Sequence, residues 1–190
     1  MTSKRTRVLA ASVELLATGG LRALTHIRVD ERAGLPKGST SNYFRTRAAL
    51  FAGVSAWMVE QELPSVTAVF VPSSASELVD GLCELLDVVT RDNRDLTTAR
   101  LVLFVEASHN ADLRETLSQG RAALEPRALA ALTALGASDP PAATAAIIAC
   151  FEGLVLHRIA RGEFSDPRPV FDAVVAGVLA ESASVQCRRG

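Results

Sequence analysis

Residues 33–44, AGLPKGSTSNYF, are a compact polar run between two apolar stretches, and no other segment limits the fold as tightly. Upstream, Thr25 can cap a short helix with its hydroxyl. Val29 and Ala33 lie one turn apart on its inner face, and Gly34 suits the left-handed turn that stops it. Pro36 has its φ preset for a first helical turn and needs no amide donor there, so the spacing predicts a further short helix over 36–43. Two helices of about two turns joined by a tight Gly-containing turn form a helix-turn-helix, here over residues 25–44.

The surrounding chain is expected to be all-α. Hydrophobic residues make up 48% and aromatics only 5%, and Ala, Leu and Val carry most of the apolar mass, a composition that favours helix over sheet. Val8, Leu9, Ser12, Leu15 and Leu16 mark one face of a first helix that Gly19 and Gly20 end. Thr46 caps a fourth helix that is expected to break or kink at Pro64. Apolar periodicity predicts more helices near 76–91, 95–109, 112–135, 141–161 and 168–183, about nine in all, with a frayed tail from Ser182. Cys83, Cys150 and Cys187 are far apart, show no zinc spacing and are expected to be reduced, mostly buried thiols. No metal or other cofactor is expected. No uninterrupted apolar stretch approaches the ~20 residues needed to cross a bilayer, so no membrane partner is expected and a cytoplasmic location is.

The net charge of -1 hides a split. Residues 1–50 hold nine Lys and Arg against three Asp and Glu, and the remainder holds eleven against eighteen. A basic first quarter on an acidic body suggests a module that faces nucleic acid. A helix enters the major groove only if its outward side chains are short, and Ser, Thr and Asn can then bond to base edges or phosphates. The candidate DNA contacts are Thr25, Arg28, Lys37, Gly38, Ser39, Thr40, Ser41, Asn42, Tyr43 and Arg47. Lys37 brings charge near the helix start, Tyr43 offers its hydroxyl to a phosphate, Phe44 packs inward, and Arg47 adds a cation to helix-start amides that favour phosphate. Asp30 would repel phosphate unless Arg28, Arg32 or another cation neutralises it.

The run RVLAASVELLATGGLRALTHIRVDERAGLPKGSTSNYFRTRAAL resembles the amino-terminal DNA-binding domain of the TetR family of bacterial transcriptional repressors. It matches in the first helix, the Gly pair, the Thr cap, the AG turn, the KG opening the recognition helix, the terminal aromatics, and the hydroxyl cap, basic residue and Leu that open helix four. It departs where the family commonly carries a Tyr at Ser41, a larger aliphatic at Thr40, a Ser or Thr at Pro36 and a small Ala at Asp30. The resemblance implies an all-α protein with a three-helix DNA-binding domain over 1–50. Residues 51–190 would then form a helical domain for ligand binding and dimerisation.

Two carboxyl-terminal helices suit that second role. Ile147, Phe151, Leu154 and Val155 form one stripe, and Phe171, Val174, Val175 and Val178 another. Ala142, Ala145, Ala146, Ala149 and Gly153 on one helix, and Ala173, Ala176, Gly177 and Ala180 on the other, add small-residue surfaces. Such all-round apolarity implies burial on two sides, either as core or as a four-helix homodimer interface. A two-fold dimer would place recognition helices about 34–36 Å apart on a near-palindromic double-stranded DNA operator. Polar or aromatic side chains inside the apolar helices, Trp57, Phe104, Glu106, His109, Asn110 and His157, are the candidate contacts of a small, largely apolar effector whose binding would release the repressor.

Two other readings remain open at this point. His26, His109 and His157 could serve an enzyme, but no GxSxG, HExxH, GxGxxG or GxxxxGK[ST] occurs and catalysis is not expected. A helical adaptor whose basic face binds a protein or RNA is the alternative to a DNA-binding regulator.

Overall fold

The computed structural model describes residues 3–69 and 71–186. Among them are nine α-helices and no strand: α1 (Lys4–Ala23), α2 (His26–Ala33), α3 (Ser39–Tyr43), α4 (Arg47–Val69), α5 (Ala75–Asp87), α6 (Arg94–Ala107), α7 (Ala111–Ala134), α8 (Pro140–Leu156) and α9 (Arg168–Gln186). Two π-helical turns, Val88–Asp92 and His157–Arg161, continue α5 and α8. The all-α expectation and the helix count hold.

Local signals explain most boundaries. Thr25 caps α2 by accepting from the Arg28 amide, and Gly34 closes it in the left-handed region at φ 60°. Thr46 accepts from the Ala49 amide and so caps α4. Three boundaries differ from expectation. α3 starts at Ser39 rather than Pro36, because Gly38 takes φ 93° and no helix can continue through that conformation. The Gly pair interrupts α1 instead of ending it, with Gly20 at φ 64° and three more residues following. α4 runs past Pro64 to Val69, since a helix can bend at a proline without stopping.

The chain divides into two compact units, Met1–Glu62 with Asn93–Arg121, and Leu63–Asp92 with Ala122–Gly190. In the first, Val8, Leu9 and Leu16 of α1 share a core with Val29, Phe44, Leu50, Val54 and Met58, and with Ala99 and Leu103 of α6. The interior beneath α2 and α3 is thus completed by α4 and by a helix some fifty residues further on.

In the second unit α5, α8 and α9 pack on one another. Leu78, Leu82 and Leu86 of α5, Ile147 and Val155 of α8, and Phe171 and Val175 of α9 are buried. The Phe151 and Phe171 rings stack at 6.2 Å. The π turns meet through Arg158, which is buried, donates to the Asp87 carboxylate and lies 3.2 Å from the Thr90 hydroxyl. Its guanidinium and that of Arg91 both lie over the Phe164 ring, at 5.5 and 4.8 Å.

This arrangement corrects four of the eight expected interface residues. Ile147, Val155, Phe171 and Val175 are interior to the protomer, and Phe151, Leu154, Val174 and Val178 are half-buried. The faces left open are those of the small residues, Ala145 and Ala149 on α8 and Ala173, Ala176, Gly177 and Ala180 on α9. Pro140–Arg161, 22 residues with mean hydropathy 1.5, is long and apolar enough to cross a bilayer by length and composition, though Glu152 and Arg158 interrupt its apolar run. Here that helix packs on α9 and α5. Cys83 and Cys150 are free and half-buried, their thiols pushed up by burial, and Cys187 lies outside the described residues.

Candidate nucleic-acid interface

α3 has five residues, far below the length at which a helix stands alone in water. α2 supplies what it lacks. Asp30 accepts from the Gly38 amide at 2.7 Å, the Thr40 amide at 2.7 Å and the Thr40 hydroxyl at 2.6 Å. At the other end His26 Nε2 donates to the Phe44 carbonyl at 2.6 Å. Phe44 is buried in the core, and the Arg5 guanidinium lies 5.7 Å from its ring centroid.

Asp30 is 3% exposed and Thr40 0%. Neither can meet DNA, which corrects the placing of Thr40 among the contacts and the expectation that Asp30 would face phosphate. Two of the four departures from the TetR pattern, Asp30 and Thr40, are hydrogen-bonded to each other. Burial alone would push the Asp30 carboxyl up, but the bonds from Thr40 and Gly38 outweigh it and hold the group below its ordinary value.

The outer face of α3 presents Ser41, Asn42 and Tyr43, all exposed, and Lys37 and Gly38 are exposed in the turn before it. Ser39 is half-buried, and its hydroxyl donates to the Pro36 carbonyl at 2.6 Å. Thr25 and Arg28 are exposed at the start of α2. Arg47 is exposed but engaged, donating to the Leu21 carbonyl at 3.0 Å with its guanidinium 5.2 Å from the Phe51 ring centroid. Arg5, Arg22 and Arg45 add exposed cations to the same unit.

The candidate effector contacts do not converge in the same way. Trp57 packs partly buried on the first unit's core. Phe104 and His109 are exposed, and Glu106 is half-buried. Asn110 caps α7 through the Leu113 amide at 3.1 Å. A cleft of about 240 Å³ beside Ala48, Phe51, Ala52, Asp112 and Thr116 includes Asn110 and none of the other five. His157 belongs to the second unit, 3.8 Å from the Glu163 carboxylate.

Sequence reasoning missed a buried ion pair. Arg100 Nη1 donates to Glu62 Oε2 at 2.8 Å, while Glu62 Oε1 and Arg100 Nε are buried without a hydrogen-bond partner. Burial pushes the Glu62 carboxyl up, and Arg100 opposes this only in part. A signal existed: Leu50, Val54, Met58 and Glu62 recur every four residues along α4, and all four are buried.

A short polar helix held outward on a cation-rich unit, followed by a helical body, defines the class as helix-turn-helix transcriptional regulators. Residues 73–181, more than half of the chain, match the family model described as the tetracyclin repressor-like C-terminal domain. The chain belongs to the TetR family, whose members are transcriptional regulators and not enzymes.

Solved structures share the whole fold at low identity. A transcriptional regulator from Rhodococcus sp. Rha1 superposes with TM-score 0.83 at 19% identity, over 94% of this chain and 97% of that one. A TetR-family member from Streptomyces coelicolor A3 gives 0.76 at 20%, over 94% and 99%. The multidrug binding protein EbrR complexed with ethidium gives 0.74 at 19%, over 93% and 99%. No curated protein matches the chain.

Proposed function

We propose that the protein is a cytoplasmic repressor that binds a near-palindromic operator as a homodimer and lets go when a small, largely apolar molecule binds its helical body. The observation that carries this reading is the sidedness of α3. Its inward group, Thr40, is bonded to Asp30, and Ser41, Asn42 and Tyr43 are left facing solvent beside Lys37. Hydroxyl and amide groups on a groove-sized helix read base edges, and the neighbouring cations hold phosphates.

The open Ala and Gly faces of α8 and α9 support pairing, because small side chains allow helices of two subunits to approach closely. That a fold neighbour, EbrR, was captured with ethidium supports a small-molecule effector. To drive release from 1% to 99%, such a molecule must prefer the released state by about 10⁴-fold.

The test is selection of genomic fragments by the full-length protein, followed by gel shift with the selected DNA. Asn42→Ala is expected to weaken binding by about 1–3 kcal/mol and to relax selectivity at one position. Lys37→Ala is expected to weaken binding to all sequences alike and to lower the salt slope by about one. Absence of any selective shift with wild type would return the chain to the adaptor reading.

A further inference from the structure

We propose that Asp30 and His26 are positioning residues that set operator selectivity without touching the operator, an inference that rests on the DNA-binding reading above. They lie one turn apart on α2 and hold opposite ends of α3. Asp30 takes three donors at its start, the amides of Gly38 and Thr40 and the Thr40 hydroxyl. His26 donates to the carbonyl of Phe44, the residue that ends it.

The kind of contact matters here. Apolar packing through Phe44 keeps α3 against the body but tolerates a roll about its axis, because dispersion has little direction. Hydrogen bonds to a carboxylate are short and directional, so three of them fix where the helix starts and which way it faces. Successive residues stand about 100° apart around a helix, as 3.6 residues per turn requires. A modest roll would therefore move Asn42 off one base edge and toward another. Within α3 itself little resists this, since five residues make barely more than one helical turn.

The two polar side chains also explain each other. A carboxylate and a hydroxyl this deeply buried are costly alone, and each satisfies the other. Both therefore serve α3's placement, while every outward side chain of α3 stays free for DNA.

The experiment compares the affinity of full-length protein for its selected operator with that for a scrambled duplex of equal length, by fluorescence anisotropy. The readout is the ratio of the two. Loss of folded protein lowers both affinities alike, and so does any change in net charge near the phosphates, so the ratio isolates positioning. Asp30→Asn and Thr40→Val are expected to lower the ratio about tenfold or more, the usual effect of losing a buried bond to a charged group. Thr40→Ser, which keeps the donor, should hold it near wild type. His26→Ala should lower the ratio and His26→Gln, which can still donate to Phe44, should restore part of it. An unchanged ratio in folded Asp30→Asn and Thr40→Val would overturn the proposal while leaving DNA recognition standing. A wild type with no preference for any selected fragment would overturn the DNA-binding reading itself. Should the single variants fail to fold, the Asp30→Ala/Thr40→Val double variant, which removes both buried polar groups, decides: a wild-type ratio refutes positioning and a collapsed ratio supports it.

Discussion

Arg158, in the π turn after α8, and Asp87, the last residue of α5, share one ion pair, yet the arginine side chain is 5% exposed and the aspartate 53%. The guanidinium is taken out of water and the carboxylate stays at its edge. Removing either partner therefore has different consequences. Asp87→Ala strands a buried cation and should cost about 2–3 kcal/mol after allowance for the wet side of the pair. Arg158→Met fills the space with apolar atoms and leaves a carboxylate that water can solvate, so its cost should stay within about 1 kcal/mol. Urea denaturation at pH 7 measures both, and equal losses would contradict the asymmetry.

The pH dependence of stability should have two opposed parts. The hydrogen bond from Arg158 is the main reason the Asp87 carboxyl lies below its ordinary value, and Asp30 is also held low. Groups with folded values below the unfolded value stabilise fully above that value, about 3.9 for Asp, and lose this contribution as pH falls through the folded values. Glu62 is shifted upward by burial, so the folded chain keeps its proton longer than the unfolded one and loses stability as pH rises through the raised value. Glu62→Gln should therefore gain on wild type between pH 4 and pH 8, and Asp87→Asn should flatten the loss below pH 4. Denaturation curves across that range test both signs.

Gly53 faces the Phe44 ring, and a Cβ at this position would fall inside the ring's van der Waals surface. Because the Phe44 ring is itself buried and has little room to withdraw, Gly53→Ala should cost about 1–3 kcal/mol. Adding Phe44→Leu, which withdraws ring atoms, should recover part of the loss in a thermal melt.

The open faces of α8 and α9 and the buried stripe beside them predict different outcomes. Ala149→Glu and Gly177→Glu change exposed positions, and nothing lies within 4 Å of a Cβ on Gly177. With the proposed pairing through these faces, each should convert dimer to monomer in sedimentation with the melting of the single chain nearly unchanged. Phe171→Ala removes a fully buried ring and should cost about 3–5 kcal/mol of protomer stability.

The parts of this fold that were legible in the sequence are those decided within a few residues. Thr25, Thr46 and Gly34 announce helix ends because a hydroxyl acceptor or a left-handed glycine acts on amides one turn away. What depended on a distant partner was not legible. A hydroxyl in a five-residue helix carries no periodic signal, so Thr40 read as outward until Asp30, ten residues back, claimed it. Glu62 continued an apolar stripe as a carboxylate, but its partner Arg100 is 38 residues away. On α8 and α9, apolarity on every side left the direction of burial undetermined; Ile147, Val155, Phe171 and Val175 turned inward while Ala145, Ala149, Ala173, Ala176 and Ala180 stayed outside.

The anchoring of α3 through backbone amides and one inward hydroxyl has an evolutionary consequence. Asp30 bonds to the main chain of residues 38 and 40, groups that persist whatever side chains follow. Positions 41 to 43 can therefore be exchanged without loosening the scaffold. Under the proposed reading, a lineage carrying this scaffold can acquire new target sites by changing three surface codons, with foldability inherited from a neighbouring helix.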